Sequence, residues 1–393
     1  TYTDDMGILK YASNNTPRFD HNFGTGESLG LLIEESRTNN LTYSQDFVGQ
    51  WTNQNFVRTA NYAIAPDGTQ TATRLQAPSV TDPGSSAYLL RTYLPVNYGS
   101  GVTVTFSVFV KPITTTSTYS PQPPDGATVQ ARDLYLHLTL EGGAGSGWFN
   151  LNTKETDSNV TAVQYGNGWW RVSYTGTTTS ADNQNQHFIW LSNRSAAESF
   201  DPYPDGNEDI YIWGAQSEVG SFATSYIPTS GSTVTRAIDN FKISGTNFES
   251  FINKTEGTMM MEYKNLSSAV NTGLPTIGDG THSRYMMFNL ATDTQFSAAT
   301  VNGGVVQANP SVNITTASSQ FVKAIYAVKE NDFAITANGQ TPVTDTSGTL
   351  FTTPTQFTLE YGAGGNDPNA HFKSIKYYPK RLPDAQLQGL THQ

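Results

Sequence analysis

The stretch LYLHLTL at Leu134–Leu140 alternates apolar and polar residues more regularly than any other part of this chain. Successive side chains of a β-strand point to opposite faces of its sheet. The alternation therefore predicts a strand whose leucines face a core, while Tyr135, His137 and Thr139 face away from that core. A strand of this kind is typical of an antiparallel sheet with one face packed in a β-sandwich.

Similar strand patterns recur along the chain and are separated by turn sequences rich in Gly, Pro and Asn. Strands are predicted at 101–110, 134–140, 169–174, 187–191, 210–213, 258–263, 285–290, 321–328, 332–336, 357–361 and 372–378. The tail at 382–390 is the only segment for which we predict a helix late in the chain. Many short strands without βαβ alternation predict an all-β fold, with two β-sandwich, jelly-roll-like domains in tandem.

A stretch rich in Pro, Ser, Thr and Gly, beginning at Pro228, separates the two sets of strands. We therefore predict an N-terminal extended segment at 1–40, a jelly-roll domain at 41–230 and a linker at 231–240. A second sandwich with a short C-terminal helix is predicted at 241–393. The length of 393 residues agrees with two domains of about 150–200 residues each.

Composition and charge argue against several classes of protein. Charged residues make up 14% of the chain and the net charge is −11, with no basic run. Nucleic-acid binding needs Lys and Arg to neutralise phosphates, so no nucleic-acid partner is expected. No stretch approaches the roughly 18 apolar residues of a membrane span, so no membrane insertion is expected. The absence of cysteine excludes disulfides and thiolate metal sites.

Three longer strings resemble a recurring pair of modules in phage tail and appendage proteins. They read RFDH at 18–21 with GESLGLLIEESRTN at 26–39, YIWGAQ at 211–216 with FATSYIPT at 222–229, and KSIKYYPKRL at 373–382. The pair consists of a carbohydrate-binding-module-like jelly roll followed by a laminin-G or concanavalin-A-like sandwich. The resemblance spans nearly the whole chain and assigns the jelly roll to 41–230 and the second sandwich to 241–393.

The resemblance implies a phage virion structural protein, namely a tail fibre or appendage on the extracellular particle surface that recognises host surface glycans. The implied partners are other virion proteins, further copies of the chain in a homotrimer, and host surface polysaccharide. Two alternatives stay open. The first is a capsid decoration or head-fibre protein without glycan binding, and the second is a polysaccharide depolymerase.

A search of the sequence for catalytic patterns favours a protein that is not an enzyme. It contains no GxSxG, HExxH or P-loop motif. A retaining glycosidase needs two carboxylates about 5 Å apart. The predicted strands carry almost no acidic pairs on one face that could supply them.

Aromatic side chains are the candidates for glycan binding, because the apolar faces of sugar rings stack on exposed Trp and Tyr rings. Tyr135 and His137 are predicted to point away from the leucine face of their strand, and Tyr211 and Trp213 share one face of theirs. If the two outward faces are neighbours, the four side chains form one aromatic platform. The competing interpretation places Trp213 and Trp190 in a core or at a contact with another subunit.

Calcium is the one cofactor that the sequence suggests. Ca²⁺ takes roughly six to eight oxygen ligands, and carboxylates on a Gly-containing turn can supply several of them. The acidic loop at 201–209 offers Asp201, Asp205 and Asp209 as candidate ligands. Its spacing is not that of an EF-hand, and the alternative is a solvated turn before the strand at 210–213.

Overall fold

The computed structural model describes residues 1–78, 88–117, 132–179, 186–192, 208–266, 272–281, 283–292, 294–314, 320–359 and 368–392. The chain divides into two compact units. The first consists of Thr1–Ser13, His21–Glu27 and Ser36–Arg236. The second consists of Asn14–Asp20, Ser28–Glu35 and Ala237–Gln393.

Short β-strands account for most of the regular structure. Up to Arg236 they are β1 (Tyr2–Thr3), β2 (Leu9–Lys10), β3 (Phe19–His21), β4 (Ser28–Ile33), β5 (Arg37–Asn39), β6 (Thr52–Gln54), β7 (Val57–Ala63), β8 (Ala72–Ala77), β9 (Tyr88–Tyr93), β10 (Thr103–Pro112), β11 (Thr116–Ser117), β12 (Arg132–Asp133), β13 (Tyr135–Leu140), β14 (Gly145–Asn150), β15 (Val160–Gln164), β16 (Trp170–Thr177), β17 (Gln186–Ser192), β18 (Glu208–Val219) and β19 (Val234–Arg236). A 3₁₀ helix at Gly166–Gly168 precedes β16.

The remaining strands follow the division between the units. They are β20 (Lys242–Ser244), β21 (Glu256–Asn265), β22 (Thr272–Gly278), β23 (Arg284–Thr292), β24 (Gln295–Asn302), β25 (Val305–Ala308), β26 (Ser311–Asn313), β27 (Val322–Lys329), β28 (Asp332–Ala337), β29 (Val343–Asp345), β30 (Gln356–Thr358) and β31 (Ala370–Tyr378). The helices are α1 (Gly245–Glu249) and α2 (Asp384–Thr391). Neither helix has the length and apolar character that a bilayer crossing requires, and the described residues contain no other helix that does.

The first unit is a β-sandwich of two antiparallel sheets. One has six strands in the order β15-β16-β10-β18-β8-β7, and the other has five in the order β14-β13-β17-β9-β6. Leu136 and Leu138 of β13 meet Ile210 and Ile212 of β18 in one buried core between the sheets. Burying each such side chain contributes about 1.5–3 kcal/mol. The predicted sandwich and the predicted direction of the β13 leucines are therefore confirmed.

The β13–β14 hairpin pairs His137 with Trp148 and Leu138 with Gly147. Gly147 faces the core, where an added Cβ would lie 2.4 Å from Val160 Cγ2 and 2.6 Å from the ring of Tyr174. Such distances are far below van der Waals contact, so a side chain here would separate the sheets. The glycine lets the hairpin pack against the six-stranded sheet.

The outer face of the six-stranded sheet is covered by other parts of the same unit. Trp213 of β18 and Phe109 of β10 pack with Trp169, and Leu9 and Tyr226 complete the cluster. The Trp213 indole is 0% exposed, and its Nε1 donates a hydrogen bond to Thr71 Oγ1 at 3.0 Å. These aromatic rings therefore form a second, smaller core on the outside of the sandwich.

The second unit is also a β-sandwich. Its sheets have the orders β20-β30-β22-β23-β24-β25, with β26 also paired to β24, and β29-β28-β27-β21-β31-β4-β3. Tyr263 of β21, Phe288 of β23 and Phe333 of β28 are fully buried in the core. Helix α2 lies where the sequence predicted a helix, and its Leu387 packs against Ile325 of β27. The prediction of all-β sandwiches in tandem is confirmed for both halves of the chain.

Part of the N-terminal segment belongs to the second unit. Leu31 of β4 pairs with Phe372 of β31. Gly30 has φ +89°, and a Cβ there would lie 2.2 Å from the Phe372 carbonyl oxygen, so glycine allows this close approach. The predicted extended segment at 1–40 is thus shared between the two units. The division after Arg236 falls inside the stretch that we predicted as a linker.

Buried ion pairs accompany this strand pairing. The Arg18 guanidinium contacts the carboxylates of Glu34, at 2.6 Å, and Asp239. Asp239 also accepts a hydrogen bond from the backbone N–H of Glu34 at 2.8 Å. His371 Nε2 lies 2.8 Å from Asp20 Oδ2. Removing one partner of a buried ion pair leaves a charge uncompensated, which costs about 3–5 kcal/mol, so the carboxylates of Glu34 and Asp239 stabilise Arg18 of the RFDH string within the second unit.

Candidate functional site

Four aromatic side chains lie together on the outer face of the five-stranded sheet in the first unit. Strand β13 contributes Tyr135 and His137, β14 contributes Trp148, and β17 contributes Trp190. His137 pairs directly with Trp148 on one side and with Trp190 on the other. Residues that are directly opposite in a ladder point to the same face. We call these four side chains the aromatic face.

The aromatic face has a buried base and a partly exposed edge. The rings of His137 and Trp190 stack with centroids 3.8 Å apart and an interplanar angle of 17°, and their exposures are 1% and 3%. Trp190 Nε1 donates a hydrogen bond to Thr139 Oγ1 at 3.0 Å. Tyr135 and Trp148 meet edge to face at 5.3 Å and remain partly exposed. The stack therefore supports two rings that solvent can reach.

Polar side chains adjoin the Tyr135 end of the aromatic face. Asp133 accepts hydrogen bonds from Asn150 Nδ2 at 2.8 Å and from Asn152 Nδ2 at 2.9 Å. Asn150 Oδ1 in turn accepts the backbone N–H of Asn152 at 2.8 Å. We call Asp133, Asn150 and Asn152 the polar rim, in which Asn150 is buried and holds the other two in place. Its groups are oriented in advance, which reduces the cost of ordering them around a ligand.

The Tyr135 hydroxyl stays protonated over the whole neutral range. Burial raises the pKa of Tyr135, and the negative charge of Asp133 raises it further. A protonated phenol can donate one hydrogen bond and also accept one. The arrangement therefore offers apolar ring faces beside fixed donors and acceptors, which suits a flat, hydroxyl-rich ligand.

The four predicted glycan-binding residues do not form one platform. Tyr135 and His137 lie on the outer face of the five-stranded sheet, but Tyr211 and Trp213 lie on the outer face of the other sheet. Trp213 is not exposed, because the cluster around Phe109 covers it completely, as the competing interpretation of a core position has it. Tyr211 is partly buried, with its ring 5.6 Å from that of Tyr62. His137 points outward as expected, yet it is buried under its stack with Trp190.

The candidate calcium ligands are only partly described. Asp201 and Asp205 lie outside the described residues. Asp209 Oδ2 accepts hydrogen bonds from Arg74 Nε at 2.8 Å and Nη2 at 2.5 Å, so a guanidinium already occupies this oxygen. Across the described ranges, no group of three or more His, Cys, Asp or Glu side chains could hold a metal ion. Calcium binding by the 201–209 loop stays a prediction.

Sequence reasoning missed Trp148 and the polar rim. The run Gly142–Gly147 looks like a turn, and it concealed the strand that begins at Gly145. A hairpin signal was nevertheless present, because a glycine-rich turn followed the regular strand at Leu134–Leu140. A hairpin partner for the strand at Leu134–Leu140, formed by the residues after this turn, would have placed Trp148 opposite His137.

A scan against protein-family models and a search of curated proteins both find no match. Among solved structures, the chain is similar to the CBM40 of the Ruminococcus gnavus IT-sialidase bound to alpha2,3 sialyllactose, with 16% identity and a TM-score of 0.34 over 39% of this chain and 91% of that one. A SAP-like pentraxin from Limulus polyphemus matches with 11% identity and a TM-score of 0.28, over 35% and 69% of the chains. A toad ovary galectin in complex with thio-digalactose matches with 8% identity and a TM-score of 0.25, over 36% and 100%. Likenesses this distant carry no weight for the function.

Proposed function

We propose that this chain is a non-enzymatic glycan-binding protein and that the aromatic face of its first unit is the binding site. The edge-to-face pair of Tyr135 and Trp148, partly exposed on a buried His137–Trp190 stack, carries this proposal. A sugar ring would place its apolar C–H face on Trp148. Its hydroxyl groups would pair with the polar rim and with the Tyr135 hydroxyl.

The buried stack fits such a role because it holds the exposed rings in place. Trp190 is held by its hydrogen bond to Thr139, and His137 packs flat on it. A rigid aromatic surface loses little conformational entropy when a ligand binds. One shallow contact of this kind gives modest affinity, because aromatic contacts contribute about 0.5–1.5 kcal/mol beyond the area they bury.

Modest affinity at one site suits a protein that is displayed in several copies. Linked weak sites gain avidity through effective concentration. We therefore place the chain in a phage tail fibre or appendage on the particle surface, as a homotrimer bound to other virion proteins. The support is the resemblance of the strings at 18–39, 211–229 and 373–382 to phage appendage modules.

Binding to immobilised surface polysaccharides from a panel of bacterial hosts tests this function. We expect the wild-type chain to bind at least one preparation, and Trp148→Ala to weaken that binding by about tenfold or more. Tyr62→Ala is the matched control, because Tyr62 is 44% exposed on the other sheet and its loss should leave binding unchanged. Equal binding by Trp148→Ala and wild type would remove the aromatic face from the site.

The same preparations separate the two alternatives. Release of reducing ends during incubation would indicate a depolymerase, and we expect none. A chain that binds no polysaccharide but binds particles lacking it would be a decoration protein instead.

A further inference from the structure

The outer face of the five-stranded sheet continues beyond the aromatic face to a second group of side chains. In one row Thr139 pairs with Phe188, and Phe188 pairs with Arg91. In the next row the Glu141 backbone N–H bonds to the carbonyl of Gln186, which pairs with Tyr93. We call Arg91, Tyr93, Glu141 and Phe188 the arginine end.

Two polar atoms of the arginine end have no hydrogen-bond partner within the described part of the chain. They are Arg91 Nε and Glu141 Oε2, both of which are buried. The Arg91 guanidinium carbon lies over the Tyr93 ring, 5.2 Å from its centroid, and Tyr93 is 55% exposed. A buried donor or acceptor left unpaired costs about 1–3 kcal/mol. Buried polar groups ordinarily have a partner, and the described residues supply none for these two atoms.

The chemistry of the two atoms indicates the kind of partner. Arg91 can only donate, and an ionised Glu141 can only accept. Burial raises the pKa of Glu141, while the positive charge of Arg91 acts in the opposite direction. Both side chains are partly exposed, so one ligand hydroxyl could accept from the Arg91 guanidinium and donate to the Glu141 carboxylate. The opposite charges of Arg91 and Glu141 offset each other, so a neutral sugar with hydroxyl groups suits this end better than an acidic one.

The distance along the strand sets the size of the ligand. Tyr135 and Glu141 are six residues apart, which corresponds to about 20 Å at the rise of an antiparallel strand. A single sugar ring cannot reach from one end to the other. Thr139 and Phe188 lie between the two ends and continue the same face.

We infer that the arginine end is a second subsite, and that the ligand is an oligosaccharide of several residues with neutral sugars at this end. The inference rests on the proposed function, since it extends the same face. The chain of sugars would run along β13 and β17, with one ring on Trp148 and a hydroxyl between Arg91 and Glu141.

The test uses the polysaccharide that the wild-type chain binds most tightly among the host preparations. Partial acid hydrolysis and size fractionation yield oligosaccharides of one to six residues, whose Kd values are measured by calorimetry. We expect affinity to rise with length. Arg91→Ala and Tyr93→Ala should each weaken binding of the longest fraction by roughly fivefold, the equivalent of about 1 kcal/mol. Neither substitution should change binding of the shortest fraction that is detected.

Control variants separate the possible outcomes. Tyr62→Ala, on the other sheet, should keep the full length dependence of the wild-type chain, so a loss seen only in Arg91→Ala and Tyr93→Ala belongs to the arginine end. If Trp148→Ala abolishes binding but Arg91→Ala and Tyr93→Ala bind every fraction like wild type, the second subsite is wrong and the proposed function stands. Water would then be the partner of the unpaired atoms. If no preparation binds the wild-type chain, both proposals fail together.

Discussion

The two outer faces of the first unit carry similar aromatic side chains but differ in how far these side chains are covered. On each face a tryptophan donates its indole N–H to a threonine hydroxyl at 3.0 Å, from Trp213 to Thr71 and from Trp190 to Thr139. On the six-stranded sheet, segments containing Leu9 and Tyr226 close over the rings. On the five-stranded sheet, two rings of the aromatic face stay partly exposed. Strand alternation decides which face a ring occupies, and the covering segments decide whether it stabilises the fold or remains available to a ligand.

The largest expected effect comes from removing the covered tryptophan. Trp213→Ala should lower the free energy of unfolding by about 3–5 kcal/mol, because the cavity would lie inside a packed aromatic cluster. Urea denaturation measures this loss, with Trp148→Ala as the comparison, which should lose much less. Polysaccharide binding per folded Trp213→Ala molecule should equal wild type. A small stability loss together with weaker binding would reverse the roles of the two faces.

A buried histidine sharpens the contrast between the two faces of the five-stranded sheet. His187 lies on the inner face, with Nε2 2.6 Å from Ser217 Oγ. Burial lowers its pKa to about 4 from 6.5. Between these two values the unfolded chain binds the proton and the folded chain does not, so stability falls as the pH drops from 6.5 towards 4. The loss from this group should be on the order of 2–3 kcal/mol at pH 4.5.

Denaturation of wild type and His187→Gln at pH 7 and pH 4.5 isolates this contribution. The carboxylates of the chain titrate in both proteins, so the difference between the two pH dependences belongs to His187. We expect a shallower acid dependence in the variant. Identical pH dependences would show that His187 is charged, or accessible to solvent, in the folded state.

The smallest expected effects come from the two threonines that accept the indole hydrogen bonds. Thr71→Val and Thr139→Val should each lower stability by about 1 kcal/mol, since each removes one hydrogen bond to a buried donor. Only Thr139→Val should also weaken polysaccharide binding, because it loosens the base of the aromatic face. If Thr71→Val weakened binding equally, the two faces would not be functionally distinct.

Much of the fold could be predicted from short-range patterns. The alternation at Leu134–Leu140 was enough to place its leucines in the core and its other side chains outside. The helix near the C terminus also followed from local signals, with Pro383 ahead of it and Leu387 on its buried side. Such features depend on residues within a few positions of one another, so they can be predicted without knowing which distant segments pack against them.

The candidate site could be predicted only in part. Tyr135 was identified from its strand, but Trp148 was missed, because a glycine-rich stretch forms a strand only when β13 is beside it. Gly147 in that stretch serves core packing against Val160 rather than a turn. The face of Trp213 was predicted correctly, whereas its burial depends on Leu9 and Tyr226, which pattern analysis could not bring together.

The sequence by itself therefore determined the regularly alternating strands such as Leu134–Leu140, their inward faces and the all-β class, because a period of two residues is a local property. The tertiary structure alone decided which outer face is covered, where β4 pairs and which aromatic rings meet. Leu31 pairs with Phe372 in a sheet and Arg18 forms an ion pair with Asp239, although each pair is separated by more than half of the chain. Contacts of this kind arise from packing between distant segments, and no local periodicity encodes them.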